Sequence, residues 1–201
     1  MQHNMQQNKS RPTDQQSKIL IIDTETSGTN PHIHSLISLA VVPLIDGIQD
    51  GKEWFVYEHG IQTDPQAMSI HGIKLDWLAK HGIEVNQVCL QFEDYLSSYS
   101  DQLIMLAGHN VSFDIAFLKK LYCSANRTWP KQLSHRSIDT HSLLWFLAQH
   151  GKIPHTACSS DGAFAFFNCE PPSELRHSAL GDAMATKKLL CSLLDIFNAE
   201  K

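Results

Sequence analysis

The sequence predicts one α/β domain running from about residue 18 to the end of the chain, and three observations predict it. The run Ile19-Leu20-Ile21-Ile22 is continuously apolar, as suits a strand buried on both faces. Apolar residues at helical spacing recur in several segments interleaved with further strand-like runs. With 201 residues and 42% hydrophobic content, the chain is long enough to bury one sizeable core, and it shows no internal repeat and no second domain.

Lys18 to Asp23 is read as a central strand. Leu36 to Ile45, interrupted by Pro43, and Glu53 to Tyr57 read as its next two partners, with Asp46-Gly47 and Asp50-Gly51 marking the turn region between them. Val85 to Tyr99 is helical in spacing, with Val88, Phe92, Tyr95 and Leu96 on one face. Leu103 to Ala107 is a fourth strand, which runs into Gly108-His109-Asn110 and then a helix marked by Phe113, Phe117, Leu118 and Leu121. Ile138-Asp139-Thr140 precedes another helix through Leu143, Phe146 and Leu147, whose Trp145 and Phe146 are assigned to the core. The last helix has the clearest apolar stripe: Leu180, Ala183, Met184, Leu190, Leu193, Leu194 and Phe197.

A formal net charge of -5 and a pI near 6.1 argue against a broad polycationic surface of the kind that coats duplex nucleic acid. They leave room for an enzyme that grips a strand end, because bound cations supply local positive charge. Five cysteines, Cys89, Cys123, Cys158, Cys169 and Cys191, are odd in number and lack C-x-x-C spacing, which points to reduced, buried thiols and not to a disulfide frame or zinc site. The first 17 residues, rich in Gln, Asn, Lys and Ser, read as a disordered tail without a secretory signal. No apolar run approaches the roughly 20 residues of a membrane span. A soluble cytoplasmic protein is expected.

The chemistry is carried by acids. Asp23 and Glu25 stand two apart at a strand end, so both leave one face while Thr24 points the other way. Ionisable groups directly after a buried strand carry a large desolvation cost unless something pairs them. A hard cation such as Mg²⁺, which takes oxygen ligands, meets that need. Asp-x-Glu alone carries no weight, since ordinary composition yields about one by chance in such a chain. Asp114 falls in the first turn of its helix, where Asn110 or Ser112 can cap, and by itself it fits an acidic residue at a positive helix end. His177 and Asp182 lie around the start of the last helix, Asp182 off the apolar face and His177 in the loop after Pro171-Pro172. His32 and His34 read as exposed loop.

Ile22-Asp23-Thr24-Glu25-Thr26-Ser27-Gly28, then Gly108-His109-Asn110-Val111-Ser112-Phe113-Asp114, then His177-Ser178-Ala179-Leu180-Gly181-Asp182-Ala183 resemble the three motifs of the DEDDh group of DnaQ-like 3′-5′ exonucleases. The likeness runs from about Lys18 to Phe197. It includes Ala67 to Ile73, similar to the stretch lining the terminal-nucleotide pocket in the proofreading epsilon subunit of bacterial replicative polymerases. The resemblance implies a ribonuclease H-like fold with a mixed five-stranded sheet flanked by helices. It implies that Asp23, Glu25, Asp114 and Asp182 bind two Mg²⁺ or Mn²⁺ ions and that His177 is the general base for hydrolysis of the last phosphodiester, releasing a nucleoside 5′-monophosphate. Thr24, Thr26 and Ser27 are assigned to the substrate, the last two as donors to the terminal sugar or phosphate. Ile70, His71 and Phe113 are assigned to stacking or wedging against bases, and His109 and Asn110 to supporting the site or contacting the strand. Phe113 as simple core and Asn110 as simple cap stay open.

The expected substrate is the 3′ end of single-stranded DNA, in preference to RNA. Ribonuclease T and oligoribonuclease share the motifs, although oligoribonucleases usually carry Met where this chain has Thr26. The chain ends directly after its last helix, so a stand-alone enzyme is expected over a polymerase subunit, with a polymerase partner kept as an alternative. A catalytically inactive nucleic-acid-binding module is the third reading. It has no need of four mutually repelling acids.

Overall fold

The computed structural model describes residues 18–45 and 51–199, with side chains through residue 196. The expected N-terminal tail, the turn at Asp46-Gly47 and Asp50, and the Phe197 side chain lie outside the described residues.

The apolar run forms β1 (Lys18–Thr26), which pairs antiparallel with β2 (Leu36–Pro43). β2 is buried along its whole length and pairs antiparallel with β3 (Lys52–Tyr57). The second strand stops at Pro43 and does not reach Ile45; proline has no N–H to continue a ladder. Two short helices follow, α1 (Pro65–His71) and α2 (Leu75–His81), then a two-residue strand β4 (Ile83–Glu84) and the helix α3 (Val85–Tyr99). β5 (Ile104–Gly108) runs parallel to β1 and leads into α4 (Ser112–Ser124). β6 (Leu133–Asp139) runs parallel to β5, and α5 (Thr140–Gln149), α6 (Ser160–Phe166) and α7 (Ala179–Ala199) complete the domain.

The sheet order is β4-β3-β2-β1-β5-β6. It is mixed and flanked by helices as expected, but has six strands where five were implied. The additional strand is β4, two residues on an edge, too short to leave a periodic signal. Most of β6 was also silent, because Ser134 to Ile138 alternates weakly and lies at the other edge.

Period-2 alternation divides β1 between two cores. Leu20 and Ile22 join Leu39, Val41, Trp54 and Val56 against Val88, Phe92 and Leu96 of α3 and Phe117, Leu118 and Leu121 of α4. Ile21 joins Ala40, Val42 and Ala107 against Ala179, Ala183 and Leu190 of α7. The second layer is built largely from alanine, which lets α7 lie close to the sheet and bring its first turn to the end of β1. A third cluster joins α5, α6 and α7 through Leu144, Leu147, Phe164, Ala185 and Leu189.

Four expectations about packing need correction. Trp145 and Phe146 are 54% and 52% exposed, not core. The buried arc of α5 runs through Thr140, Leu144, Leu147 and Ala148, and the two aromatics fall on the opposite arc. Met184 and Leu194 of α7 are likewise exposed. Asn110 and Ser112 do not cap α4: Val111 occupies the cap position, with no side-chain cap bond. Of the five cysteines, all free, Cys123 is exposed, whereas Cys89 and Cys169 are buried.

Candidate active site

Register places the first two acids. Asp23 lies opposite Ala40 and Glu25 opposite Ser38, on the face covered by α7, with a β-bulge directly after Glu25. Asp182 arrives from the first turn of α7. One ligand oxygen from each of Asp23, Glu25 and Asp182 lies within 4.8 Å of the others, and these three form the metal-competent acid group among the described residues. Asp114, 5% exposed, stands beside this group and not within it. Its position comes from α4 on the other side of β1, where Thr24 Oγ1 donates to Asp114 Oδ1 at 2.7 Å.

The cluster is electrostatically tense. Burial, followed by repulsion from Asp114, Glu25 and Asp182, holds the Asp23 carboxyl well above the usual carboxylate range. Burial, followed by Asp182 and Glu53, pushes Glu25 up to about 8. Burial also raises Asp114 to about 7 against the opposing Thr24 hydrogen bond, and raises Asp182 against the attraction of Arg176. Acids that resist ionisation when alone are acids that a divalent cation would neutralise. A second observation agrees: Asp182 Oδ1 is buried with no hydrogen-bond partner, while Oδ2 accepts from Arg176 Nη1. The donor set is all oxygen, which fits a hard ion.

His177 is exposed and sits just ahead of α7 with φ 61°, a left-handed conformation uncommon for residues other than glycine. Together with Asp161, Phe164, Glu170, Pro171, Ser173 and Arg176 it lines an open cavity of about 590 Å³.

The substrate assignments divide. Ile70 is 53% exposed at the end of α1, which starts at an Asp64 cap and stops at Gly72 in the left-handed region. His71 follows, with Nδ1 accepting from Ile73 N–H at 3.0 Å and Nε2 buried without a partner of hydrogen-bond geometry; burial lowers its pKa. The Asp64 N–H donates to the Ser27 carbonyl at 2.6 Å, tying α1 to the loop after Glu25. Three of the hydroxyls assigned to the substrate make internal hydrogen bonds in the structure. Thr24 holds Asp114, Thr26 Oγ1 donates to the Gly28 carbonyl at 2.8 Å, and Ser27 Oγ donates to the Gln62 carbonyl while accepting from Ser35 N–H. Phe113 is half-buried and packs on Phe117 at 4.9 Å, so it is at least partly core. His109 Nδ1 lies 3.1 Å from Thr140 Oγ1, with burial holding its pKa below the ordinary imidazole value. Asn110 is exposed at φ 60° and its N–H donates to Asp139 Oδ1 at 2.8 Å. His32 is exposed; His34 is half-buried, its ring occupying the space a Cβ on Gly28 would need.

Reading by motif missed Arg176, Asp161 and Glu53. Glu53 reaches the site through strand register, opposite Ala40, and accepts from Ser38 Oγ at 2.6 Å. Arg176 stands directly before His177, so its place beside the motif was visible although its ion pairs were not.

A carboxylate cluster at the end of a mixed sheet, roofed by a helix and all oxygen in its donors, is a site that could hold a hard divalent cation. A family model described as exonuclease, RNase_T, matches residues 20–190. The chain belongs to this family and to its DEDDh, DnaQ-like 3′-5′ exonuclease group. It is 32% identical over 125 residues to DNA polymerase III subunit epsilon of Pasteurella multocida, covering 57% of this chain and 47% of that one. It is 29% identical over 101 residues to the 3′-5′ DNA exonuclease Cap18 of Escherichia coli, covering 48% and 52%. The chain thus spans about half the length of these curated relatives. Its fold superposes on E. coli exonuclease I in complex with a dT13 oligonucleotide with a TM-score of 0.72 at 16% identity, over 92% of this chain and 43% of that one. Among the described residues no helix is long and apolar enough to cross a membrane.

Proposed function

We propose that this domain is a metal-dependent 3′-5′ exonuclease that removes nucleoside 5′-monophosphates from the 3′ end of single-stranded DNA. The observation that carries the reading is the convergence of Asp23, Glu25 and Asp182 within 4.8 Å with one buried carboxylate oxygen left unpartnered. Asp23, Glu25 and Asp182 would hold one Mg²⁺ or Mn²⁺, and Asp23 with Asp114 would contribute to a second. When bound, the ions supply an acidified water and stabilise charge on the leaving oxygen.

The chain's own groups do the rest. His177, exposed just ahead of α7 and next in sequence to the Arg176 that holds Asp182, accepts the proton of the attacking water. Ile70 and His71 flank the terminal nucleotide, and the Thr26–Ser27 loop beside them is held rigid by its internal hydrogen bonds. Thr24 fixes Asp114 so that its carboxylate does not depend on substrate for its orientation. Preference for single-stranded DNA is supported by the likeness to Cap18 and to exonuclease I with its bound oligonucleotide. The absence of a strongly basic composition fits a grip on one strand end.

The test is a gel of matched 5′-labelled single-stranded DNA and RNA incubated with the purified chain, with and without Mg²⁺ or Mn²⁺. A metal-dependent ladder shortening from the 3′ end, faster on DNA, is expected. Faster RNA shortening would move the substrate to the ribonuclease T type. Absence of cleavage with folded protein would overturn the reading in favour of a binding module or of a subunit active only beside a polymerase.

A further inference from the structure

Arg176 is bound twice. Its Nη1 donates to Asp182 Oδ2 within the acid cluster, and its Nε and Nη2 donate to Asp161 Oδ1, Nε at 3.1 Å. The two partners differ sharply in setting. The Asp182 side chain is 13% exposed, whereas Asp161 is 75% exposed at the start of α6. The guanidinium carbon lies 5.5 Å from the Phe164 ring centroid, so the group also rests on an aromatic face. Arg176 is the cation whose charge opposes the mutual repulsion acting on Asp23 and Glu25.

We propose that Arg176 is the resident counter-cation of the acid cluster, and that it gives up Asp182 while keeping Asp161 when a divalent ion enters. The proposal rests on the metal-dependent reading of the site. In the structure, Asp182 gives one oxygen to the guanidinium and leaves the other, Oδ1, unpartnered. An ion binding there meets a carboxylate whose charge is already partly neutralised, so Arg176 competes with it. Releasing a part-buried guanidinium would ordinarily strand a charge, which is costly. Here Nε and Nη2 remain on Asp161 and the stack on Phe164 persists, so release breaks one contact of the three. Arg176 is thus a positioning residue that sets metal affinity through Asp182.

The experiment is a Mn²⁺ titration without nucleic acid, following free Mn²⁺ by electron paramagnetic resonance, on the parent, Arg176→Ala, Arg176→Gln and Asp161→Asn. Thermal unfolding in chelator runs alongside. Arg176→Ala and Arg176→Gln are expected to tighten Mn²⁺ binding at least about fivefold, the low end of ordinary coupling between sites, and to lower the melting temperature in chelator. Asp161→Asn is expected to weaken Mn²⁺ binding, because the guanidinium loses the charge that holds it when Asp182 is given up, and so stays on Asp182. A merely structural Arg176 predicts weaker binding in every variant, and that result overturns the proposal. So does unchanged affinity on removing Arg176, or a shift of the same sign in the Arg176 and Asp161 variants. Should Arg176→Ala and Arg176→Gln fail to fold, Arg176→Lys, which keeps the charge but loses the fork that reaches both acids, takes their place: tighter Mn²⁺ binding is expected, and unchanged or weaker binding overturns the proposal. A parent that binds no Mn²⁺ overturns the metal-dependent reading itself, a distinguishable failure.

Discussion

Replacing Asp23 by Asn should abolish turnover and, at the same time, make the metal-free protein more stable at pH 8. Asp23 stands among Glu25, Asp114 and Asp182, and burial and these three neighbours all push its pKa upward. The sign follows for Glu25, whose pKa is about 8 in the folded chain against an ordinary 4.5. Between those values the folded state keeps a proton that the unfolded state has lost, so stability is fullest below pH 4.5 and is lost as pH rises through 8. For Glu25 alone the whole window represents at most about 5 kcal/mol. Asn at position 23 cannot ionise, so it removes the cost Asp23 carries at pH 8 whether by burying its charge or by retaining a proton the unfolded chain has lost; a gain of roughly 1–3 kcal/mol corresponds to about 2–12 °C in melting temperature for a chain of this size. The assay is thermal unfolding by circular dichroism in chelator at pH 5.5 and pH 8, then with Mn²⁺ added. The parent's melting temperature should fall between the two pH values and recover with Mn²⁺. Asp23→Asn should show a shallower fall and little recovery. A parent whose metal-free stability is flat or rising over this range would refute the reasoning, as would a variant that melts lower than the parent at pH 8.

Three further outcomes are expected. His177→Ala should reduce kcat by about 10²–10⁴-fold, the range for loss of a general base, with KM little changed in steady-state assays; a kcat within a few-fold of the parent's would remove His177 from that role. Thr24→Val deletes the 2.7 Å bond to Asp114 and should cost about 0.5–1.5 kcal/mol in urea denaturation through the loss of one of the hydrogen bonds to a buried carboxyl, with kcat lowered more than KM is raised. Gly181→Ala would place a Cβ 2.1 Å from the Leu175 carbonyl oxygen. It should displace the 173–178 loop with Arg176 and His177 and lower turnover more than about tenfold, while helix content is kept because Ala favours helix; full activity would show that this loop tolerates movement.

The central strand, the long helices α3 and α7 and the ordered acid motifs were legible in the sequence, because each is a local pattern. Buried runs, 3.6-residue spacing and acids at the ends of elements need no knowledge of distant residues. The β4 and β6 edges, the exposure of Trp145 and Phe146 and the internal use of Thr24 and Ser27 were not legible. They depend on which face an element turns inward and on which backbone groups lie opposite a hydroxyl. The site divides along the same line. Asp23, Glu25 and Asp182 could be named from their motifs, but their approach within 4.8 Å, the separate seat of Asp114 and the arrival of Glu53 and Asp161 were decided by the tertiary structure. The physical reason is that pattern records how each residue relates to its own element's axis. Strand register and the close approach of α7 over alanines set distances between elements, and charges separated by 90 or more positions interact only through those distances.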